Sequence, residues 1–238
     1  MIERFDVTDV RENRVHEAFR REHLRRYTLA RSFLSSLNQS DLHIADTACG
    51  LGYGSTYLND LGSYIGIDLS EEAVRIARER YPNANYQTGD LQDNNTLMKQ
   101  APLDAIVSFE TIEHLPDPDS FLQHCHEALA EKNGYLIFSA PSVISRDYDP
   151  YHLHDRSASM WRTAVERANF RVLEDFEMGF QASFKDLLLC GHSTAEQNRA
   201  IARYIFTHPR YTIDRLWNWI VLRRFIWRSY FAICKVTS

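Results

Sequence analysis

The stretch Leu42 to Ser55, LHIADTACGLGYGS, constrains the fold more than any other part of this chain. It opens on a short apolar run, Leu42 to Ala45, containing the β-branched Ile44. Asp46 follows, and then Gly50, Gly52 and Gly54 fall within five residues. The run has the length of a buried strand, and the residues from Ser55 onward read as helix. A strand that turns into a helix through glycines makes a particular kind of surface. A ligand can approach the backbone closely, and the helix N-terminus offers unpaired N–H groups. Glycines alone also fit a tight turn without a ligand. The rest of the chain has to decide between the two.

Downstream, strand and helix patterns alternate. A helix from the loop to about Asp60 is followed by a second strand, Tyr64 to Leu69 (YIGIDL), with Asp68 near its carboxyl end. Ser70 then caps a helix headed by Glu71 and Glu72. Tyr86 to Thr88 reads as a third strand leading into Gly89-Asp90-Leu91. Leu103 to Phe109 is the fourth, followed by Glu110-Thr-Ile-Glu113-His114. A helix from Ser120 to Glu131, a strand from Tyr135 to Ala140, a helix from Ser157 to Asn169 and a strand from Phe170 to Glu177 continue the order. Ser229 to Val236 (SYFAICKV) is the last strand, and a helix from about Glu12 to Leu37 precedes the first. Such alternation predicts an α/β fold with a mostly parallel sheet.

The 238 residues, 44% of them apolar, suffice for one domain with a substantial core. The organisation expected is a helical cap over 1–40, a core over 41–179, a helical insertion over 180–228 and a closing strand over 229–238. No apolar run approaches the roughly 20 residues of a membrane span, and the charged start MIERFDVTDVREN does not read as a signal peptide. Cys49, Cys125, Cys190 and Cys234 are scattered without a C-x-x-C pair, which suits reduced thiols in the cytoplasm.

The net charge of -5 disfavours nucleic acid as a partner, but the charge is uneven. From Arg199 onward there are eight Lys or Arg and one acid, Asp214, so that segment is +7 and the rest is -12. A last helix expected over Thr212 to Arg228 carries Trp217, Trp219, Phe225 and Trp227 among Arg215, Arg223, Arg224 and Arg228. Three readings fit it. One is peripheral contact with anionic lipid at the inner face of a membrane. Another is a protein contact such as a homodimer. The third is a helix that covers the sheet and snorkels its arginines.

Spacing separates the ligand classes. A dinucleotide fingerprint wants G-x-G-x-x-G, whereas here the glycines run Gly50-Leu-Gly52-Tyr-Gly54 with Ser55 where the last glycine belongs. That argues against a nicotinamide oxidoreductase. With Asp46 four residues ahead of the first glycine, the loop resembles motif I of the class I S-adenosylmethionine-dependent methyltransferases. The wider DTACGLGYGS is similar to the D-I-A-C-G-E-G-Y-G-S loop of a bacterial subgroup, many of whose members act on polysaccharide or lipid-linked glycan. Glu22-His-Leu-Arg-Arg-Tyr27 resembles that subgroup's E-H-L-H-R-Y, with Arg25 replacing its second histidine. Phe109-Glu-Thr-Ile-Glu-His114 resembles its segment after strand four. The 148–155 loop resembles its N-P-y-H-x-x-E, with Asp149 and Asp155 in place of Asn and Glu.

The resemblance implies a Rossmann-like, seven-stranded mixed sheet, parallel except for the last strand, and S-adenosyl-L-methionine as cofactor. It implies a cofactor site of Arg26, Asp46, Ala48, Gly50, Gly52, Tyr53, Asp68, Leu69, Asp90, Leu91 and Phe109. In this set the Arg26 fork would meet the methionyl carboxylate. Asp68 would accept the ribose hydroxyls, and Asp90 with the following amide would hold adenine. His114 is the general-base candidate, with Glu110, His152 and His154 as further catalytic candidates. Either Glu110 and His114 do chemistry or they only brace the loop. Methyl transfer requires no metal and none is expected; the spacing offers one metal arrangement, His152 with His154 and Asp155. The acceptor implied is a glycan or glycan-linked hydroxyl. The alternatives are a small molecule, such as a quinone precursor or natural-product phenol, and a cofactor-binding partner protein without activity.

Overall fold

The computed structural model describes residues 14–142, 151–180 and 227–237, with positions 209 and 213. Helix α1 (Arg14–Ser36) leads into β1 (Leu42–Thr47), α2 (Ser55–Leu58) and β2 (Gly62–Asp68). Then come α3 (Glu71–Arg80), β3 (Asn85–Thr88), α4 (Asn94–Met98), β4 (Ala105–Phe109), α5 (Pro118–Ala130), β5 (Tyr135–Pro141), α6 (Ala158–Arg167), β6 (Phe170–Phe180) and β7 (Trp227–Val236). The strands form one seven-stranded sheet in the order β3-β2-β1-β4-β5-β7-β6. β1 pairs in parallel with β2 and β4, and β7 pairs antiparallel with β5 and β6. This is the mixed Rossmann-like sheet expected from the sequence.

Each face of the sheet buries its own core. On one side Tyr27, Ala30 and Leu34 of α1, Leu58 of α2 and Val74 and Ala77 of α3 pack on Ile44, Val107, Ile137 and Phe231. On the other, Leu97, Phe121, Leu122, Cys125, Trp161 and Val165 from α4 to α6 pack on Ala45, Ile67, Ile106 and Phe138. Strands buried on both faces read as continuous apolar runs, as β4 (AIVSF) does with every residue buried. Local caps agree: the Ser70, Asp93, Asp117 and Ser157 side chains accept backbone N–H bonds at the starts of α3 to α6.

Several boundaries move by one or two residues or more, and three of the shifts follow from pairing or hydrogen bonds. β4 starts at Ala105 rather than Leu103, because the Leu103 N–H donates to the Ala128 carbonyl at the end of α5. β6 runs on to Phe180, past the expected Glu177, with a bulge between Val172 and Glu174. Trp227 and Arg228, expected to end a helix, instead open β7, paired with Phe180 and Gly179. The rest of the 180–228 insertion lies outside the described residues, apart from Phe180 and positions 209 and 213. Among the described residues no helix is long and apolar enough to cross a membrane.

Strand order reverses between β1 and β4, with β2 and β3 to one side and β5 to the other. In an open parallel sheet the crevice beyond the carboxyl ends at such a point is where ligands bind. β7 runs the other way, so its first residues, Trp227 to Ser229, lie at that same end.

Candidate functional site

Two non-glycine residues hold left-handed backbone at the lip of this crevice. Ala48 (φ 52°) follows β1, and Glu110 (φ 50°) follows β4. Such conformations are sparsely populated for L residues and persist where the surroundings fix them. The Cys49 N–H donates to the Ile67 carbonyl at 3.0 Å, and the Glu110 N–H donates to the Ser139 carbonyl at 3.0 Å, so neighbouring strands pin both turns.

The glycine loop is packed from below and open above. A Cβ on Gly54 would lie 2.3 Å from the Asp46 carboxylate and 2.4 Å from the Tyr27 ring. One on Gly52 (φ 85°) would lie 2.7 Å from Ala77 and 2.9 Å from the Tyr86 hydroxyl. A Cβ on Gly50 (φ 55°), by contrast, would meet nothing within 4 Å among the described residues. The floor is Asp46, fully buried, whose carboxylate accepts from the Tyr27 hydroxyl at 3.0 and 3.1 Å and from Tyr64 at 2.8 Å. Burial pushes its pKa up to about 7, against those hydrogen bonds, which favour the charged form. The same burial, with Asp46 beside them, pushes the Tyr27 and Tyr64 hydroxyls well up, so both remain donors.

Asp68 is the rim acid. Its carboxylate accepts from the Gly50 N–H at 3.0 Å and the Ser70 N–H at 2.9 Å. A carboxylate offers about four acceptor positions, and these two amides fix its plane against the open face of the loop. Leu69 beside it is 66% exposed, an apolar surface at the mouth of the cleft. Asp90 is exposed and accepts from the Gln92 N–H at 2.9 Å, while Leu91 is buried beneath it. Phe109 is buried edge-on to Tyr27, at 4.9 Å between ring centroids. Tyr53 is half-buried; its hydroxyl lies 3.3 Å from His23 Nδ1 and its ring stands edge-on to Tyr27.

On the far side, Arg26 is buried and bridges three elements. Its Nη2 donates to Ser229 Oγ at 3.0 Å and lies 3.2 Å from Glu110 Oε1. Glu110 also accepts from Ser139 at 2.8 Å and Ser229 at 3.1 Å. Glu110 is therefore tied into an ion-pair network. The Arg26 Nε and Nη1 are buried without a hydrogen-bond partner among the described residues, so within them the guanidinium keeps donors for a further anionic group.

One turn beyond, Glu113, His114 and His152 converge, with ligand-type atoms all within 4.8 Å of one another. His114 Nδ1 sits 3.0 Å from the Tyr151 carbonyl, its Nε2 is 3.8 Å from Glu113 Oε1, and its ring is 4.7 Å from that of His152. His154 does not join them; its Nε2 faces the Leu115 carbonyl at 2.9 Å. The grouping therefore differs from the His152, His154 and Asp155 set that spacing suggested.

Sequence reasoning had missed Tyr27, Tyr64, Tyr86, Glu113, Ser139 and Ser229. One signal was available for Tyr86. Gly66 interrupts a strand pattern, which marks close approach by another group, and a Cβ there would lie 2.6 Å from the Tyr86 ring.

Residues 45–138 match the family model described as "Methyltransferase domain". The chain is 31% identical over 136 residues to a Mycolicibacterium smegmatis protein named "Probable S-adenosylmethionine-dependent methyltransferase", covering 54% of this chain and 52% of that protein. It is 34% identical over 115 residues to a Coxiella burnetii ubiquinone biosynthesis O-methyltransferase, covering 46% of each. The chain thus spans about half the length of the curated relatives it matches. Among solved structures, the YcgJ protein of Bacillus subtilis superposes with a TM-score of 0.67 at 14% identity, over 91% of this chain and 100% of that one. The magnesium protoporphyrin IX methyltransferase of Synechocystis, solved with bound SAM, superposes with a TM-score of 0.61 at 15% identity, over 96% and 86%. The open cradle over Gly50, the rim carboxylate of Asp68 and the unpartnered donors of Arg26 fit S-adenosylmethionine, which has two ribose hydroxyls and a carboxylate to offer.

Proposed function

We propose that this protein is an S-adenosylmethionine-dependent O-methyltransferase acting on a hydroxyl of a glycan or glycan-linked acceptor. The observation that carries the reading is the pairing of an open Gly50 cradle, rimmed by Asp68, with an imidazole cluster one turn beyond β4. Gly50, Gly52, Tyr53, Asp68, Leu69, Asp90, Leu91 and Phe109 are assigned to the nucleoside part of the cofactor. Asp46 acts from beneath, by holding the loop in shape. Arg26 is assigned to the methionyl carboxylate, with Glu110 fixing its orientation.

The bound cofactor supplies a methyl on positively charged sulfur: the acceptor oxygen's electron pair forms the new O–C bond, and the C–S pair stays on sulfur as a neutral thioether. The protein's part is to position the acceptor and receive its proton. We assign the proton to His114. With Nδ1–H donated to the Tyr151 carbonyl, Nε2 presents the lone pair. His152 sits against it, and His154 anchors the loop by its bond to Leu115.

Two features support a glycan acceptor: the DTACGLGYGS and FETIEH resemblances, and the +7 charge from Arg199 onward, which suits the anionic membrane face where lipid-linked glycans are held. A small-molecule phenol is favoured instead by the identity to the ubiquinone O-methyltransferase. Purified protein with methyl-labelled cofactor should be offered both a lipid-linked oligosaccharide fraction and quinone-precursor phenols. Label on glycan supports the proposal. Label on phenol alone replaces it with the second reading, and no label on either contradicts both.

A further inference from the structure

We infer that Glu113, His114 and His152 form a binding site for a divalent first-row transition cation, and that this cation receives the acceptor's oxygen. The inference rests on reading the cluster as the acceptor end of the cleft. Two imidazoles and one carboxylate suit Zn²⁺, Fe²⁺, Co²⁺ or Ni²⁺ better than Mg²⁺ or Ca²⁺, which prefer all-oxygen shells.

The geometry is close to that of a chelate. Ligands about 2.1 Å from one ion lie no more than about 4.2 Å apart, and here the three ligand atoms fall within 4.8 Å. In a tetrahedral set the ligand atoms lie about 3.4 Å apart, so side-chain closure of up to about 1.4 Å completes it. Glu113 is 0% exposed and His152 is 6% exposed, so the carboxylate and one imidazole are withdrawn from water.

The outer contacts are those of a ligand set. A metal-bound histidine usually donates its other ring N–H to a backbone carbonyl or carboxylate, which fixes the tautomer. The contact of His114 Nδ1 with the Tyr151 carbonyl, at 3.0 Å, leaves Nε2 facing Glu113. The loop that carries His152 is stitched to the Glu113 turn, where the Leu153 N–H donates to the Glu113 carbonyl at 2.8 Å. Three protein ligands leave coordination positions open, as in catalytic rather than structural sites. An acceptor hydroxyl bound there is acidified. In the cation-free protein His114 Nε2 accepts the proton, as assigned above. With a cation held, that lone pair is bonded to the metal, and the acidified hydroxyl gives its proton to water.

The test is titration of the chelator-treated full chain with Co²⁺, followed by the visible absorption that the ion gains on binding imidazole. One equivalent should bind. Glu113→Gln and His152→Ala should each weaken binding at least tenfold, while His43→Ala, at an exposed position on β1, should leave it unchanged. Each variant is also titrated with S-adenosylhomocysteine, and unaltered affinity there shows that the fold stands. Stoichiometric Co²⁺ binding that survives both cluster substitutions overturns the inference. So does a folded chain that binds S-adenosylhomocysteine and takes up no Co²⁺. Co²⁺ bound by a chain indifferent to S-adenosylhomocysteine would sustain the cation site and overturn the methyltransferase reading beneath it.

Discussion

The β1–β2 side of the cleft is held by backbone, whereas the β4–β7 side is held by charged side chains. On the first side the loop takes its shape from Gly50, Gly52 and Gly54, and its acid, Asp68, is a buried carboxylate fixed by two main-chain amides. On the second, Arg26, Glu110, Ser139 and Ser229 share one network drawn from α1, β5, β7 and the turn after β4. The difference is one of chemistry. A backbone-lined cradle depends on chain geometry that few residues allow, while a side-chain network can be changed one residue at a time.

The comparison breaks most severely if His114 is only structural. His114→Ala should lower turnover on the true acceptor by roughly 10²–10⁴-fold, the usual range for a positioned proton acceptor. S-adenosylhomocysteine affinity, measured by calorimetry, should stay within about twofold. A matched loss of both would mean that the two sides are not separable.

On the backbone side the effect is on stability. Gly54→Ala places a methyl 2.3 Å from the Asp46 carboxylate and 2.4 Å from the Tyr27 ring. It should cost about 3 kcal/mol, near the upper end of overpacking, as read by urea denaturation. An unchanged midpoint would mean that the floor yields and does not shape the loop.

The smallest effect sharpens the contrast between the two acids. Asp46 has a folded pKa raised from 3.8 to about 7. Its contribution to stability is therefore fully present below the unfolded value and is lost as pH rises through about 7. Relative to Asp46→Asn, the protein should lose on the order of 2–3 kcal/mol between pH 5 and pH 8, as read by denaturation at each pH. Parallel pH profiles for the two proteins would show that Asp46 is ionised throughout.

The same contrast explains what was legible in the sequence. Gly50 to Ser55 and the end of β2 lie close together in the chain, so a short window contained the cradle and its rim acid. Period and capping residues placed the other strands to within a few residues. Arg26 and Ser229 are 203 positions apart, and no local pattern joins them. Asp46 read as a ligand group because its spacing to Gly50 was visible, whereas the hydroxyls of Tyr27 and Tyr64 that enclose it come from α1 and β2. Glu113 was hidden for a similar reason. It meets His152 only because the 3-10 turn at Ile112–His114 folds back under a loop some 40 residues later. Trp227 and Arg228 carried a helical pattern of tryptophan and arginine, which the ladder with β6 overrode.

The central claim is that the Gly50 cradle and Asp68 hold the nucleoside of S-adenosylmethionine. Calorimetric titration of the wild-type chain and Asp68→Ala with S-adenosylhomocysteine tests it most directly. One-to-one binding by the wild type, weakened about 100-fold in Asp68→Ala (on the order of 2.7 kcal/mol), is the predicted result. Equal affinity in the two proteins, or no binding by the folded wild type, would contradict it.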